Sequence, residues 1–204
     1  KLRRIAIPKR GGGQRLLSIP TVGDRVLQRA VLNVLDDVFD RHFRDCSYGS
    51  RAGRGRRVAV GHSLRHRDRG GGWGLDGDID ECFDSLDHEL LLGFLAEEVD
   101  DWTVMNLIRA WLRVGRRTRK PDRGIPLGTS LSPLCCNVYL HRLDRALVEG
   151  GWAPVRYADD FVVCCLSPEH ARRAREVVVE ILAGLRLRLE PTKTQITSFD
   201  QGFE

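Results

Sequence analysis

The stretch APVRYADDFVVCC, Ala153–Cys165, constrains the fold more than any other part of the chain. Two apolar segments of strand-forming residues flank a tip that carries two adjacent carboxylates, Asp159 and Asp160. The run from Phe161 to Leu166 is apolar at nearly every position, the mark of a strand at the centre of a sheet. A hairpin of this kind requires an antiparallel sheet with a packed core. Aspartates are common in turns, and charged pairs often do no more than keep a surface wet. The third reading is that something doubly positive sits at the tip.

The flanking sequence supplies the rest of such a sheet and its cover. IAIPKRGGGQRLLSIP (5–20) reads as two short strands around a Gly-rich turn. From Asp24 to Phe39, Leu27, Val31, Val34, Leu35 and Val38 recur with the period of an amphipathic helix. SYGSRAGRGRR (47–57) and RHRDRGGG (65–72) are loops by composition, the second marking a lobe boundary. Trp73–Ile79 is a strand, with helices expected around 88–99, over 104–112 and from Pro133 onward. Ser167-Pro168 is an N-cap followed by a first-turn proline, opening a helix that ends at Gly184. LRLRL (185–189) alternates as a half-buried strand does. Strand, helices, hairpin, helix, strand is an α+β layer, an antiparallel sheet backed by helices.

Composition narrows the class of function. The 204 residues carry a net charge of +5. The cations are grouped in 1–15, 51–69 and 113–120, and three such clusters favour a phosphate-rich partner. No apolar run approaches the roughly 20 residues that span a bilayer, and none at the start resembles a signal peptide. The opening KLRRIAIPKR lacks an initiator Met, so the chain is expected to be a piece of a longer protein. Cys46, Cys82, Cys135, Cys136, Cys164 and Cys165 show no CxxC spacing. That argues against a zinc site or disulfide framework and for free thiols in a reducing cytoplasm.

A second acidic group, LDGDIDECFDSLDH, closes the Trp73 strand, and alternation sets Asp78 and Asp80 on the face opposite Ile79. If this strand lies beside the hairpin, Asp78 approaches Asp159 and Asp160. Each pair of carboxylates about 4 Å apart repels by roughly 4 kcal/mol at an effective dielectric near 20. Protonation or bound cations must relieve that repulsion. Hard oxygen ligands suit Mg²⁺, which one or two carboxylates hold together with substrate phosphates, and two such ions serve phosphoryl transfer.

RYADD followed by FVV resembles the catalytic hairpin of reverse transcriptases, in the form shared by group II intron proteins and their relatives. The resemblance continues in the family's order along the chain. IAIPKRGGGQRLLSIPTVGDRVLQRAV is similar to the opening blocks and SYGSRAGRG to the loop after them. DIDECFDSLDH, GIPLGTSLSPLCCNVYLHRLD and LRLEPTKTQI resemble the first catalytic block, the next block and the lysine-bearing block. The resemblance implies the fingers and palm of a right-hand polymerase: fingers over 1–72, joined by part of 100–125, and palm over 73–204. It implies an RNA-directed DNA polymerase that extends a DNA or RNA primer on an RNA template with deoxynucleoside triphosphates. Asp78, Asp159 and Asp160, with the backbone carbonyl of Ile79, would hold two Mg²⁺ ions, with Mn²⁺ able to substitute.

The same resemblance places Phe83 under the sugar, where a ring selects deoxynucleotides, and Lys9 and Arg15 on the triphosphate. It sets Lys193 near the leaving pyrophosphate and Arg51 on the template backbone. Two departures stand out. Leu127 replaces the usual Gln against the incoming nucleotide, and Ser50 and Ala52 replace the Phe and Pro of SYGFRPGR. FDQGFE comes where the family continues into a primer grip and helical thumb. The lineage implies a setting in CRISPR spacer acquisition and antiviral defence, with a fused or associated integrase, or in group II intron mobility, with an intron RNA. The contrasting reading is a non-catalytic RNA-binding module on the same fold. His62 and His66 are four apart but lack a carboxylate partner, and GGGQRL has no Lys-Ser or Lys-Thr to make a P-loop.

Overall fold

The computed structural model describes residues 2–8, 14–114 and 122–201. In chain order the elements are β1 (Leu2–Pro8), β2 (Gln14–Pro20), α1 (Val22–Asp40), α2 (Arg56–Asp68), β3 (Trp73–Gly77) and α3 (Cys82–Ser85). They continue with α4 (His88–Ala96), α5 (Trp102–Val114), α6 (Ser132–Glu149), β4 (Ala153–Tyr157), β5 (Asp160–Cys165), α7 (Pro168–Gly184) and β6 (Gln195–Ser198). Packing divides the chain into two compact units, Lys1–His42 with Phe83–Tyr139, and Phe43–Cys82 with Leu140–Glu204. These units interleave in sequence. Residues 43–72 are drawn to the later strands because Arg156 bonds to Cys46 and Tyr48 through its backbone.

In the first unit β1 and β2 pair antiparallel from Leu2↔Pro20 to Pro8↔Gln14. Thr21 caps α1 by accepting from the Asp24 N–H at 3.2 Å. The buried stripe of α1 is Gln28, Leu32, Leu35 and Phe39, a rotation of the expected one. Leu27 and Val34 are exposed instead. The helix carries apolar residues on several faces, so spacing alone cannot choose the inward one. Asp87 caps α4 by accepting from the Glu89 and Leu90 N–H groups. α5 buries Met105, Ile108 and Leu112, and α4 packs against it.

The second unit holds a four-stranded sheet in the order β4-β5-β3-β6, antiparallel at every pairing. The cross-strand partners Leu75 and Val163 are both fully buried. Gly77 pairs with Phe161, and a Cβ on Gly77 would fall 2.3 Å from the Phe161 ring. Only glycine lets that ring lie across β3. α7 packs on β3, β5 and β6, burying Ala171, Ala174, Val178 and Leu182. It opens as expected, with Ser167 accepting from the His170 N–H and Pro168 in the first turn. α2 packs on β4 and β5, where Ala59 joins Tyr48, Val155 and Cys164 in one apolar cluster.

One expectation is corrected here. LRLRL (185–189) is not a strand. Leu185, Leu187 and Leu189 do turn inward, but only Leu189 makes a bridge, to Ile79, and Arg186 adopts φ +56°, which breaks an extended run. The fourth strand is β6 instead, pairing with β3 from Trp73↔Ser198 to Asp76↔Gln195. All six cysteines are buried and free, and burial pushes the thiols of Cys46, Cys135 and Cys164 up to about 12. No helix among the described residues is long and apolar enough to cross a membrane.

Candidate active site

The site is built where β3 ends beside the β4–β5 hairpin. β3 and β5 pair antiparallel from Trp73↔Cys165 to Gly77↔Phe161, so one further residue along each strand sets Asp78 level with Asp160. Strand alternation puts Asp76, Asp78 and Asp160 on the same face of the sheet. In the hairpin Tyr157 pairs with Asp160, leaving Ala158 and Asp159 as the turn, with Ala158 at φ +60°. A two-residue turn cannot bend far, so Asp159 is presented at the sheet's end beside Asp160.

The electrostatics follow from this crowding of like charge. Asp160 is exposed on its outer side, yet enough protein surrounds the carboxyl to raise its pKa above the ordinary value. Asp159, Asp78 and Asp76 add to the rise, and Lys193 opposes it. The Lys193 ammonium forms a salt bridge with the Asp78 carboxylate. That hydrogen bond raises the pKa of Lys193. Among the described residues no group of three or more His, Cys, Asp or Glu side chains is arranged to hold a metal ion. The donor types suit a hard divalent cation: carboxylates at one sheet end, of which Asp78 already holds the Lys193 ammonium.

The other residues expected from the sequence fall some in one unit and some in the other. Ile79 has its side chain buried. Its bridge to Leu189 is made by the Asp78 carbonyl, accepting from Glu190, and the Asp80 N–H, donating to Arg188. The ladder bonds there run through its neighbours and leave the Ile79 carbonyl out of that bridge. Asp80 turns to Arg188, with 2.5 Å between carboxylate and guanidinium. Phe83 and Leu127 lie in the first unit, both half-buried. The Phe83 carbonyl accepts from Ile125 at 2.7 Å and that of Leu127 from Ser18 at 2.7 Å. Arg15 occupies β2 opposite Ile7, and Lys9 lies outside the described residues.

Arg51 lies in the loop before α2. The residue expected on the template backbone is 8% exposed and turned inward. Its guanidinium donates to the carbonyls of Arg44 at 2.9 Å and Ser47 at 3.0 Å, and it lies 5.3 Å from the centre of the Phe43 ring. Those bonds are spent on shaping the loop. His62 donates to or accepts from the Tyr48 hydroxyl at 2.5 Å and packs against His66. Sequence reasoning missed Asp76, which a strict count of alternating positions would have placed with Asp78. It also missed Arg156 and Asp144, a fully buried ion pair behind the hairpin.

Residues 7–203 match the family model described as reverse transcriptase (RNA-dependent DNA polymerase). The chain belongs to the reverse transcriptases. Among its curated relatives, Protein YkfC of Escherichia coli is 30% identical over 98% of this chain and 64% of its own length. The group II intron-encoded protein LtrA of Lactococcus lactis is 34% identical over 72% of this chain and 25% of its own length. Such relatives place this reverse transcriptase in the group II intron-like lineage. The chain spans less than two thirds of the length of either relative. In solved structures the fold is that of telomerase from Candida tropicalis, with a TM-score of 0.70 at 14% identity, covering 100% of this chain and 41% of that one. The apo form truncated from its C-terminal domain gives 0.66 at 15% identity, covering 97% of this chain and 50% of that one. A palm-type antiparallel sheet backed by helices is common to them.

Proposed function

We propose that this chain is the fingers and palm of an RNA-directed DNA polymerase, extending a primer with deoxynucleotides on an RNA template. The observation that carries the proposal is the meeting of Asp78 with the Asp159–Asp160 turn at the end of adjacent strands. Asp78, Asp159, Asp160 and the Ile79 carbonyl would hold two Mg²⁺ ions. When bound, these supply the charge that activates a primer hydroxyl and steadies the departing oxygen. Every other contribution comes from side chains. Lys193, already drawn to Asp78, would offer an ammonium proton from Nζ to the leaving pyrophosphate. Lys9 and Arg15 would clamp the triphosphate, as an ammonium and a forked guanidinium do. Phe83 would exclude a 2′ hydroxyl, and Leu127 would pack on the nucleotide without hydrogen-bonding it.

In this reading the fingers take 1–72 with part of 100–125 and the palm takes 73–204. The setting is intron mobility, which the intron-encoded relatives support, or CRISPR spacer acquisition beside an integrase. Six free buried thiols favour a reducing cytoplasm. Primer extension on an RNA template with Mg²⁺ tests the core of it. Asp78→Ala and Asp159→Ala should each lower extension at least a hundredfold, and Phe83→Ala should raise ribonucleotide use relative to deoxynucleotide. A wild-type chain that binds hybrids but never extends them would replace this reading by the non-catalytic RNA-binding module.

A further inference from the structure

The turn that bears Asp159 is gripped from behind by residues that no metal or nucleotide role explains. Arg156 is 0% exposed and Asp144 1%. The guanidinium meets the carboxylate with both prongs, Nε to Oδ1 at 2.8 Å and Nη2 to Oδ2 at 2.6 Å. Nη2 also donates to the Ser47 Oγ at 2.8 Å. The third nitrogen, Nη1, reaches forward and donates to the Ala158 carbonyl at 2.7 Å. Ala158 is the turn residue with φ +60°, a conformation L residues rarely adopt. A charge-assisted bond to its carbonyl holds it there.

The SYG segment closes the grip from the other side. The Arg156 N–H donates to the Cys46 carbonyl at 2.8 Å, and the Tyr48 N–H donates to the Arg156 carbonyl at 2.9 Å. Gly49 then passes so near the turn that a Cβ would lie 2.3 Å from the Ala158 nitrogen. A buried ion pair is a poor device for stability alone, because desolvation offsets its Coulomb energy and apolar residues of like volume do as well. What apolar residues cannot do is donate to the Ala158 carbonyl while anchored to a helix.

We infer that Asp144, Arg156, Ser47 and Gly49 form a cradle that fixes the backbone of the 157–160 turn, and so sets the placement of Asp159 and Asp160 toward a divalent cation. The inference rests on the metal-binding reading of those aspartates. These four are positioning residues, since none of them would touch the ion. Outer-shell partners of this kind typically alter metal affinity by about 10- to 100-fold.

The test uses Mn²⁺ alone as probe, titrated by electron paramagnetic resonance, beside amide exchange across 157–161 in the metal-free protein. Arg156→Lys keeps a positive charge for Asp144, but one ammonium cannot serve both the carboxylate and Ala158. Gly49→Ala pushes on the turn without touching the ion pair. Both should weaken Mn²⁺ binding at least tenfold and speed exchange of the turn amides about tenfold. Should Arg156→Lys fail to fold, the double variant Arg156→Met/Asp144→Leu fills the same space with apolar groups and should show the same two effects. Lower melting temperatures with wild-type Mn²⁺ affinity and wild-type turn exchange would overturn the cradle. Asp159→Ala separates the two layers: if it leaves Mn²⁺ binding intact, the metal reading fails, and turn exchange alone decides whether the cradle fixes the backbone.

Discussion

At the scale of single residues, the chain's most consequential groups are charged or titratable side chains placed where apolar ones would pack. Arg156 and Asp144 are the clearest case, and they left no trace in the sequence pattern because one charge in an apolar strand breaks alternation without naming its partner. Asp159 and Asp160 stood out for the opposite reason: two acids side by side at the tip of an apolar hairpin are visible in the sequence, and they lie at the β4–β5 turn. His141 belongs with the illegible ones. Its ring packs 5.7 Å from that of Phe43, and its Nδ1 is a buried atom without a hydrogen-bond partner. Burial lowers its pKa to about 4, with Arg142, Arg145 and Arg44 also lowering it and Asp144 opposing. Between pH 6.5 and about 4 the unfolded chain therefore holds the extra proton. Stability should fall as pH drops through that window, by at most about 1.4 kcal/mol per pH unit from this group. Urea unfolding at pH 7.5 and pH 5 should show a smaller difference for His141→Phe than for wild type. An equal difference in both would mean that other groups carry the acid sensitivity.

At the scale of elements, local signals served where an element begins or is repeated, and failed where its partner is distant. α7 was readable from Ser167 and Pro168, and β1–β2 from strands on either side of glycines. β6 was not, since QITS is short, mixed in polarity and defined only by pairing with β3. The inward leucines of 185–189 imitate a strand because alternate burial needs no ladder. The pairing of β3 with β5 decides whether a site exists at all, and it depends on Gly77 admitting the Phe161 ring. Gly77→Ala should force Phe161 aside, destabilising the protein by about 1–3 kcal/mol as overpacking does. The same shift should move Asp78 relative to Asp160, so primer extension should fall further than the melting temperature alone accounts for. A stable variant with unchanged extension would show that the ring can yield without disturbing the strand ends.

At the scale of the whole molecule, charge and connectivity matter most. The proposed nucleic-acid binding would rest on the basic clusters at 1–15, 51–69 and 113–120, and contacts of that kind would be mostly to phosphate. Affinity for an RNA–DNA hybrid should fall with a log–log slope against salt that reflects the number of phosphates neutralised. Each of Arg57→Ala and Arg65→Ala, on the exposed arginine-rich helix α2, should reduce the slope by about one if its cation meets the backbone. Fluorescence anisotropy between about 50 and 200 mM salt measures it, and slopes equal to wild type would remove α2 from the binding surface. The interleaving of the two packing units bears on how the chain is made. Each unit must wait for a distant segment: residues 43–82 for 140 onward, and 1–42 for 83–139. Bringing such segments together closes long loops before any contact rewards the lost entropy. Synthesis from the N-terminus therefore exposes β3, with its partner strands still unmade, until the hairpin and β6 have emerged. A sheet whose central strand comes first and whose neighbours come last spends its birth as an open edge, and chaperone holding during translation is the natural protection for it.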